Sequence, residues 1–411
     1  MRISVNEMGN GLKVSSCSFA QLQTVSIALG VNYGSIDENP RINGSAHFLE
    51  HMLFKGTRKR TWKQISDQLK DMGVYHNAYT DHETTIYFMQ VYKGHVEKTM
   101  EIMSDMVRNS TIPEKEFELE RGPIINENLI RHDNPRFMIS DYMPRALYAK
   151  HPAKMSVGGD NETTIKNVTR DDLLGIYHKY YNPKNSVLEI YGGISNEKAL
   201  GLAMRYFAGY KAKYNRPRRS PAREKQERKS LTIARKGIKQ TRIGIGFKCS
   251  EFSSDNVDEF LSLLAVETYL DDKLFDEIRQ KRGLSYDPMA LYDPYSTFGF
   301  IAAAAGVEPK NLDQAQKVIL KEFKKLQDGE ISNEELERTK KALSVQELVK
   351  REDTMQMVIS MANFDLMYNG SRALESLPEK IKAVSLDDVR KYCAKYIDVD
   401  KCGTVLLKPA A

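Results

Sequence analysis

The tightest constraint on what this chain can fold into is an order of elements that is written twice. In the first half, strand-like runs near 11–16 and 23–31 precede a short helix. A second helix spans about Thr61 to Met72, and alternating segments follow at Val74–Thr80 and Thr84–Val91. Helices come next at about 94–109, 114–131 and 135–149, and the half closes with a helix near Arg170–Tyr181, the strand Ser186–Tyr191 and a helix from Asn196. In the second half the strand Thr241–Phe247 leads into a helix from about Val257 to Lys281, with strands near Tyr286–Tyr292 and Thr297–Gly306. Helices follow at about 309–327, 332–351, 353–368 and 385–397, before a last strand Gly403–Leu407. The parallel lies in element order, not in residues. It predicts an α+β fold: two homologous α/β halves, each a mixed, largely antiparallel sheet packed with helices.

A length of 411 residues suits two domains. The boundaries expected are 1–210 for the first, 211–232 for a basic linker and 233–411 for the second. The formal charge of +6 does not mark a nucleic-acid binder, because it is local. Residues 211–229 hold nine Lys/Arg against Glu224 and Glu227, a net of +7 that leaves the remainder near neutrality. The run Arg216-Pro217-Arg218-Arg219-Ser220-Pro221 has the proline content of a solvated tether, and no aromatic residue interleaves it beyond Tyr214. No stretch of eighteen apolar residues occurs, so no membrane span is expected. The N-terminus runs straight into strand-like sequence without a charged-then-apolar signal region, and a cytoplasmic protein is expected. Cys17, Cys249, Cys393 and Cys402 form no C-x-x-C pair and fit buried thiols that bind no metal.

The chemistry concentrates in His47-Phe48-Leu49-Glu50-His51. Histidines four apart project from one face of a helix, where both imidazoles can reach one cation. The carboxylate one step before the second histidine makes the pattern His-x-x-Glu-His, the inverzincin order. Such a helix offers a metal hydrolase two ligands and a base. A catalytic zinc site needs one more protein ligand. The helix following residue 114 offers Glu120 and Glu127, seven apart and on one face, although spacing alone leaves Glu127 one glutamate among many. All eight histidines lie at or before His178, so the second half can hold no histidine site.

The run His47 to Thr57, with Glu127 seventy-six residues after His51 in a Glu-Arg-x-x-Ile-x-x-Glu setting, resembles the pitrilysin/insulysin family of zinc peptidases. Within it the two-domain branch of mitochondrial processing peptidase β-subunits and their prokaryotic relatives is most similar, over essentially the whole chain. The resemblance implies one zinc per chain, held by His47, His51 and Glu127, with Glu50 as general base and Glu120 supporting the site from outside the ligand set. It implies that Phe54 walls the pocket after the scissile bond. Asn77-Ala78-Tyr79-Thr80 resembles the family's strand beside the metal, whose edge binds substrate as an added β-strand. Asn77 by itself reads equally as a turn residue. His82 matches no ligand of the family.

Arg282-Gly283-Leu284-Ser285-Tyr286 resembles the family's Arg/Tyr pair, which reaches from the second domain to substrate carbonyls; alone it reads as a helix ending at glycine. Two departures stand out. The region Glu267–Lys273 lacks the glycines common in the family, which argues against a presequence-like specificity, and Pro123 interrupts the Glu127 helix one turn before the ligand. The implied protein is a zinc metalloendopeptidase that cuts unfolded peptides held as extended strands inside a clam-shell dimer. A homodimer is expected, a heterodimer with a related chain being the alternative. The rival from another class is a non-catalytic scaffold or binding subunit, which the intact motif disfavours.

Overall fold

The computed structural model describes residues 1–133, 135–159, 162–211, 214–215, 219–236, 238–368 and 370–410, with the side chains of 132–139, 162 and 254 also outside the description. In chain order the elements are β1 (Ser4–Glu7), β2 (Lys13–Ser18), β3 (Thr24–Val31), α1 (Ser45–Met52), α2 (Trp62–Asp71), β4 (Tyr75–Thr80), β5 (Thr85–Tyr92) and α3 (Val96–Asn109). Then come α4 (Glu114–Asp133), α5 (Pro135–Leu147), α6 (Glu162–Asn167), α7 (Arg170–Tyr180), β6 (Ser186–Gly192) and α8 (Asn196–Phe207). The rest are β7 (Lys229–Arg235), β8 (Thr241–Cys249), α9 (Val257–Leu274), β9 (Met289–Pro294), β10 (Gly299–Val307), α10 (Leu312–Gln327), α11 (Asn333–Lys350), α12 (Thr354–Met367), α13 (Leu377–Ala383), α14 (Leu386–Tyr396) and β11 (Gly403–Pro409).

Two compact units result, neither of them continuous in sequence. One gathers residues 1–127, 155–218 and 348–376; the other gathers 128–154, 219–347 and 377–411. The first holds a sheet in the order β1-β2-β6-β3-β5-β4, and the second a sheet in the order β7-β11-β8-β10-β9. Only β2–β6 and β7–β11 are parallel, so both sheets are mixed and largely antiparallel, as the alternating patterns predict. Arg216, Pro217 and Arg218 of the expected linker lie outside the described residues. Part of that expected linker is strand, since β7 begins at Lys229.

In the first unit the central strands Thr24–Val31 and Ser186–Gly192 are buried almost end to end. α12, drawn from late in the chain, covers β3, β5 and β6. Its approach is close enough that a Cβ on Gly30 would lie 2.7 Å from Leu366 Cδ1, so a larger residue there would require the Leu366 side chain to move. Ser26 and Gln90 both bond the Thr354 hydroxyl at 2.7 Å, and Asp365 accepts the Ser15 hydroxyl at 2.6 Å. On α3 the buried Val96, Met100, Met103 and Val107 follow the 3–4 spacing of a helix with one apolar face. Thr61 and Gln64 close a capping box at the start of α2, as Thr169 and Asp172 do for α7.

Two local expectations change. The predicted strand from Tyr286 begins instead at Met289, because a turn held by Leu284 N donating to Ile278 O occupies the residues before it. The long helix predicted to Lys281 is α-helical only to Leu274 and continues as one π-turn over Phe275–Gln280. α4 passes through Pro123 without a break. The four cysteines are buried free thiols, and no helix among the described residues is long and apolar enough to cross a membrane.

Candidate active site

α1 is eight residues long and all but His51 are buried, so its polar side chains are there at a cost that must be offset locally. His47 and His51 lie one turn apart with their Nε2 atoms 3.2 Å from each other. Glu127 on α4 reaches both imidazoles: Oε1 is 3.4 Å from His47 Nε2 and Oε2 is 3.3 Å from His51 Nε2. Among the described residues these three form the one group of potential ligands whose atoms all fall within 4.8 Å of one another. Two imidazole nitrogens and a carboxylate oxygen are the donor set of a catalytic zinc site, with a fourth position left for water or substrate. The residues therefore fit the metal that the sequence implies.

The surroundings orient this set. Glu120 Oε1 lies 2.9 Å from His51 Nδ1, the ring nitrogen turned away from the cluster, and Glu120 Oε2 pairs with Lys55 Nζ at 2.5 Å. A carboxylate behind a ligating histidine fixes the ring and raises its basicity. Burial alone would lower the His51 pKa, but the Glu120 and Glu127 carboxylates raise it to about 9. The hydrogen bonds to His47 and His51 hold Glu127 far below the usual carboxylate range. Both shifts arise from the contacts between the two imidazoles and the carboxylates of Glu120 and Glu127.

Glu50 is 7% exposed and points from α1 toward β4, where the Thr80 hydroxyl donates to its Oε2 at 2.6 Å. This is the contact that sequence reading missed. Thr80 stood in the recognised segment without a role, and only the packing of α1 on β4 brings it to Glu50.

β4 is an edge strand, paired only with β5. Asp81 N donates to Thr84 O at 2.8 Å in the connecting turn, so by antiparallel alternation Thr80, Ala78 and His76 turn their backbone N–H and C=O groups to the free edge. The Ala78 N–H is engaged by the side chain of Asn77 at 2.9 Å. Asn77 is thus an exposed strand residue rather than a turn residue. The Tyr79 hydroxyl accepts from Asn363 Nδ2 at 2.8 Å, which ties the strand to α12. Phe54, Trp62 and Ile65 wall a cavity of about 290 Å³ that His76 and Asn77 also line. His82 bonds Ser35 at 3.0 Å and stands outside the ligand group.

In the second unit, Arg282 Nη1 donates to the Glu277 carbonyl at 2.7 Å and to its carboxylate at 2.6 Å. Lys281 and Arg282 together bring the Glu277 carboxyl down to about 2. Tyr286 is 78% exposed, and the guanidinium 4.1 Å from its ring centre belongs to Arg279, which also lies 4.9 Å from the Phe275 ring. The Arg279 contact was not legible in the sequence, because the π-turn over Phe275–Gln280 carries it.

Residues 13–161 match the family model described as insulinase (peptidase family M16), and residues 167–343 match that described as peptidase M16 inactive domain. A zinc protease of Rickettsia bellii, uncharacterized by its name, is 30% identical over 343 residues, covering 82% of this chain and 81% of its own length. The chain belongs to peptidase family M16. The zinc protease YmxG of Bacillus subtilis, likewise uncharacterized by name, is 26% identical over 403 residues, 98% of this chain and 97% of its own. The mitochondrial-processing peptidase subunit beta of Bos taurus is 27% identical over 398 residues, 94% of this chain and 80% of its own. Among solved structures, a protease from Helicobacter pylori superposes with a TM-score of 0.89 at 23% identity, covering 99% of this chain and 100% of that one. A peptidase M16 inactive domain from Pseudomonas fluorescens gives 0.87 at 18%, covering 100% of this chain and 98% of that one. These M16 likenesses establish the two-unit fold. A shared fold does not by itself distinguish a peptidase from an inactive relative, so the activity must be argued from the residues.

Proposed function

We propose that this M16 chain is a zinc-dependent endopeptidase acting on extended, unfolded peptides. The observation that carries the reading is the convergence of His47, His51 and Glu127 at the helix that also carries Glu50, whose carboxylate accepts the Thr80 hydroxyl of the edge strand β4. A zinc ion held by those three ligands would supply Lewis acidity toward the scissile carbonyl and acidify the attacking water. Glu50 accepts that water's proton and returns it to the leaving amine, so peptide and water become a carboxylic acid and an amine. The edge of β4 holds the substrate main chain as an added strand, with the Ala78 backbone exchanging its Asn77 contact for the peptide. Phe54 and its neighbours receive the side chain that follows the scissile bond. Arg282 and Tyr286 are proposed as donors to substrate carbonyls. We propose a clam-shell homodimer as the working form, to be checked by light scattering against a heterodimer with a related chain. A non-catalytic scaffold is the rival, and the presence of every ligand together with the base argues against it.

Removal of metal tests the reading directly. Cleavage of an unstructured peptide library is expected to stop on treatment with a chelator and to return on addition of zinc. A purified chain containing no stoichiometric metal, or cutting equally well without it, would sink the proposal. The Thr80 contact has its own test. Thr80→Val is expected to lower kcat about tenfold or more with little change in KM, the scale of one hydrogen bond to a charged group. Thr80→Ser should retain most of the activity in the same steady-state assay, and equal losses in the two variants would deny the hydroxyl its role.

A further inference from the structure

We propose that Glu38 is a positioning residue for this centre: it caps α1 from outside the helix and fixes the turn that carries His47. The inference rests on the reading of His47 as a metal ligand. The N-cap position of α1 is Gly44, whose φ of +96° and missing side chain leave the helix without a cap of its own. A capping side chain could not be placed there, because a Cβ on Gly44 would lie 2.4 Å from Ile165 Cδ1 and 2.8 Å from the Gly158 carbonyl. The turn from Asn43 to His47 is buried, so its amides cannot turn to water instead. Glu38 meets the need from the preceding loop. Its Oε2 accepts Gly44 N and Asn43 Nδ2, each at 2.7 Å, and its Oε1 accepts Ala46 N at 2.6 Å.

A second observation links this cap to the metal. His51 has Glu120 behind its ring, whereas His47 Nδ1 is buried with no hydrogen-bond partner among the described residues. A ligating histidine is normally aimed by such an outer partner. His47 has none, and only 3% of it is exposed, so its direction is inherited from the backbone of the first turn. Glu38 binds the amide of Ala46, the residue immediately before it. Asn43, through Nδ2, is held in turn by the Ser156 carbonyl at 2.8 Å, which anchors the loop against rotation.

The test uses the full chain and zinc alone. Competition with a chromogenic chelator is expected to show zinc affinity about 10–100-fold weaker in Glu38→Gln, the cost typical of losing an outer-shell partner. The carboxamide turns an N–H toward donors and cannot accept from both ends of the turn. Glu38→Asp, shorter by one methylene, is expected to lose affinity too and serves if Glu38→Gln does not fold. Leu202→Ala, a truncation in the buried face of α8, controls for stability: it should lower the unfolding midpoint and keep the zinc affinity. Hydrogen exchange read by mass spectrometry should quicken at Gly44 and Ala46 in Glu38→Gln, with or without metal. Wild-type affinity in the Glu38 variants, an equal loss in Leu202→Ala, or unchanged exchange at Gly44 and Ala46 would each overturn the role given to Glu38. A wild-type chain that binds no zinc overturns instead the metal reading on which it rests, so the two failures are distinguishable.

Discussion

Glu50→Gln is expected to reduce peptide cleavage by about 10³-fold or more while the protein keeps its zinc. The carboxamide is the same size, and its oxygen can still accept the Thr80 hydroxyl that lies 2.6 Å from Oε2, so the geometry of α1 survives. What it cannot do is take a proton from water and give it to an amine, and general acid–base catalysis by one group contributes about 10²–10⁴-fold. Both proton transfers pass through this residue in the proposed reaction, which places the loss toward the upper end. None of the three candidate ligands is touched. Metal content by elemental analysis and cleavage by fluorogenic peptide assay separate the two effects. Unchanged cleavage in Glu50→Gln would show that the base lies elsewhere; cleavage lost together with zinc would show that Glu50 matters to the site's integrity instead.

The second large effect concerns stability. Arg60, 9% exposed, follows α1 and bonds two acids of α3: Nη1 to Asp105 Oδ2 and Nη2 to Glu101 Oε1, both at 2.6 Å. Asp105, 4% exposed, also accepts Thr57 Oγ1 at 2.7 Å and Asn109 Nδ2 at 2.8 Å, so the loop that follows α1 is tied to α3 through one buried carboxylate. Arg60→Leu should destabilise the chain by about 3–5 kcal/mol, because it strands a charge that the interior cannot solvate. Urea unfolding measures this, and a loss below about 1 kcal/mol would mean that the pair is dispensable. Arg60→Leu combined with Asp105→Leu should lose less than the two single changes added together.

The pH dependence follows with a definite sign. Burial tends to raise the Asp105 and Glu101 pKa values, but hydrogen bonds and the Arg60 charge hold both below their ordinary positions. Groups depressed on folding stabilise the fold above their unfolded pKa values, about 3.9 for Asp and 4.3 for Glu, and that contribution is lost as the pH falls through the lower folded values. The acid limb of the stability curve should therefore be steeper in the wild type than in Arg60→Leu.

The helix carrying the candidate ligands was legible in the sequence because its chemistry is local. His47, Glu50 and His51 sit within five residues, where helical periodicity alone fixes which side chains share a face. The mixed sheets were legible for the same reason, since apolar alternation is a property of neighbours in the chain. Glu127 was not, as spacing left it one glutamate among many until the resemblance singled it out. Thr80 and Glu38 passed without a role because their partners lie 30 and 6–8 residues away, across packing contacts that no period records. Arg282 and Tyr286 were singled out by the resemblance, whereas their neighbours were not legible: a π-turn puts Arg279 on the Tyr286 ring, and Arg282 bonds Glu277.

By itself, then, the amino-acid sequence determined that two α/β halves form, that only the first can hold a histidine metal site, and that a carboxylate accompanies the two histidines on its helix. Those properties depend on residue type and on periods of two and 3.6. The tertiary structure alone decided that residues 348–376 complete the first unit, that β4 lies at a free edge, and that Thr80 and Glu38 brace α1. Each is set by burial between segments distant in the chain: a glycine that admits α12, a short helix with no cap of its own, and a carboxylate whose desolvation requires a donor wherever the fold can bring one.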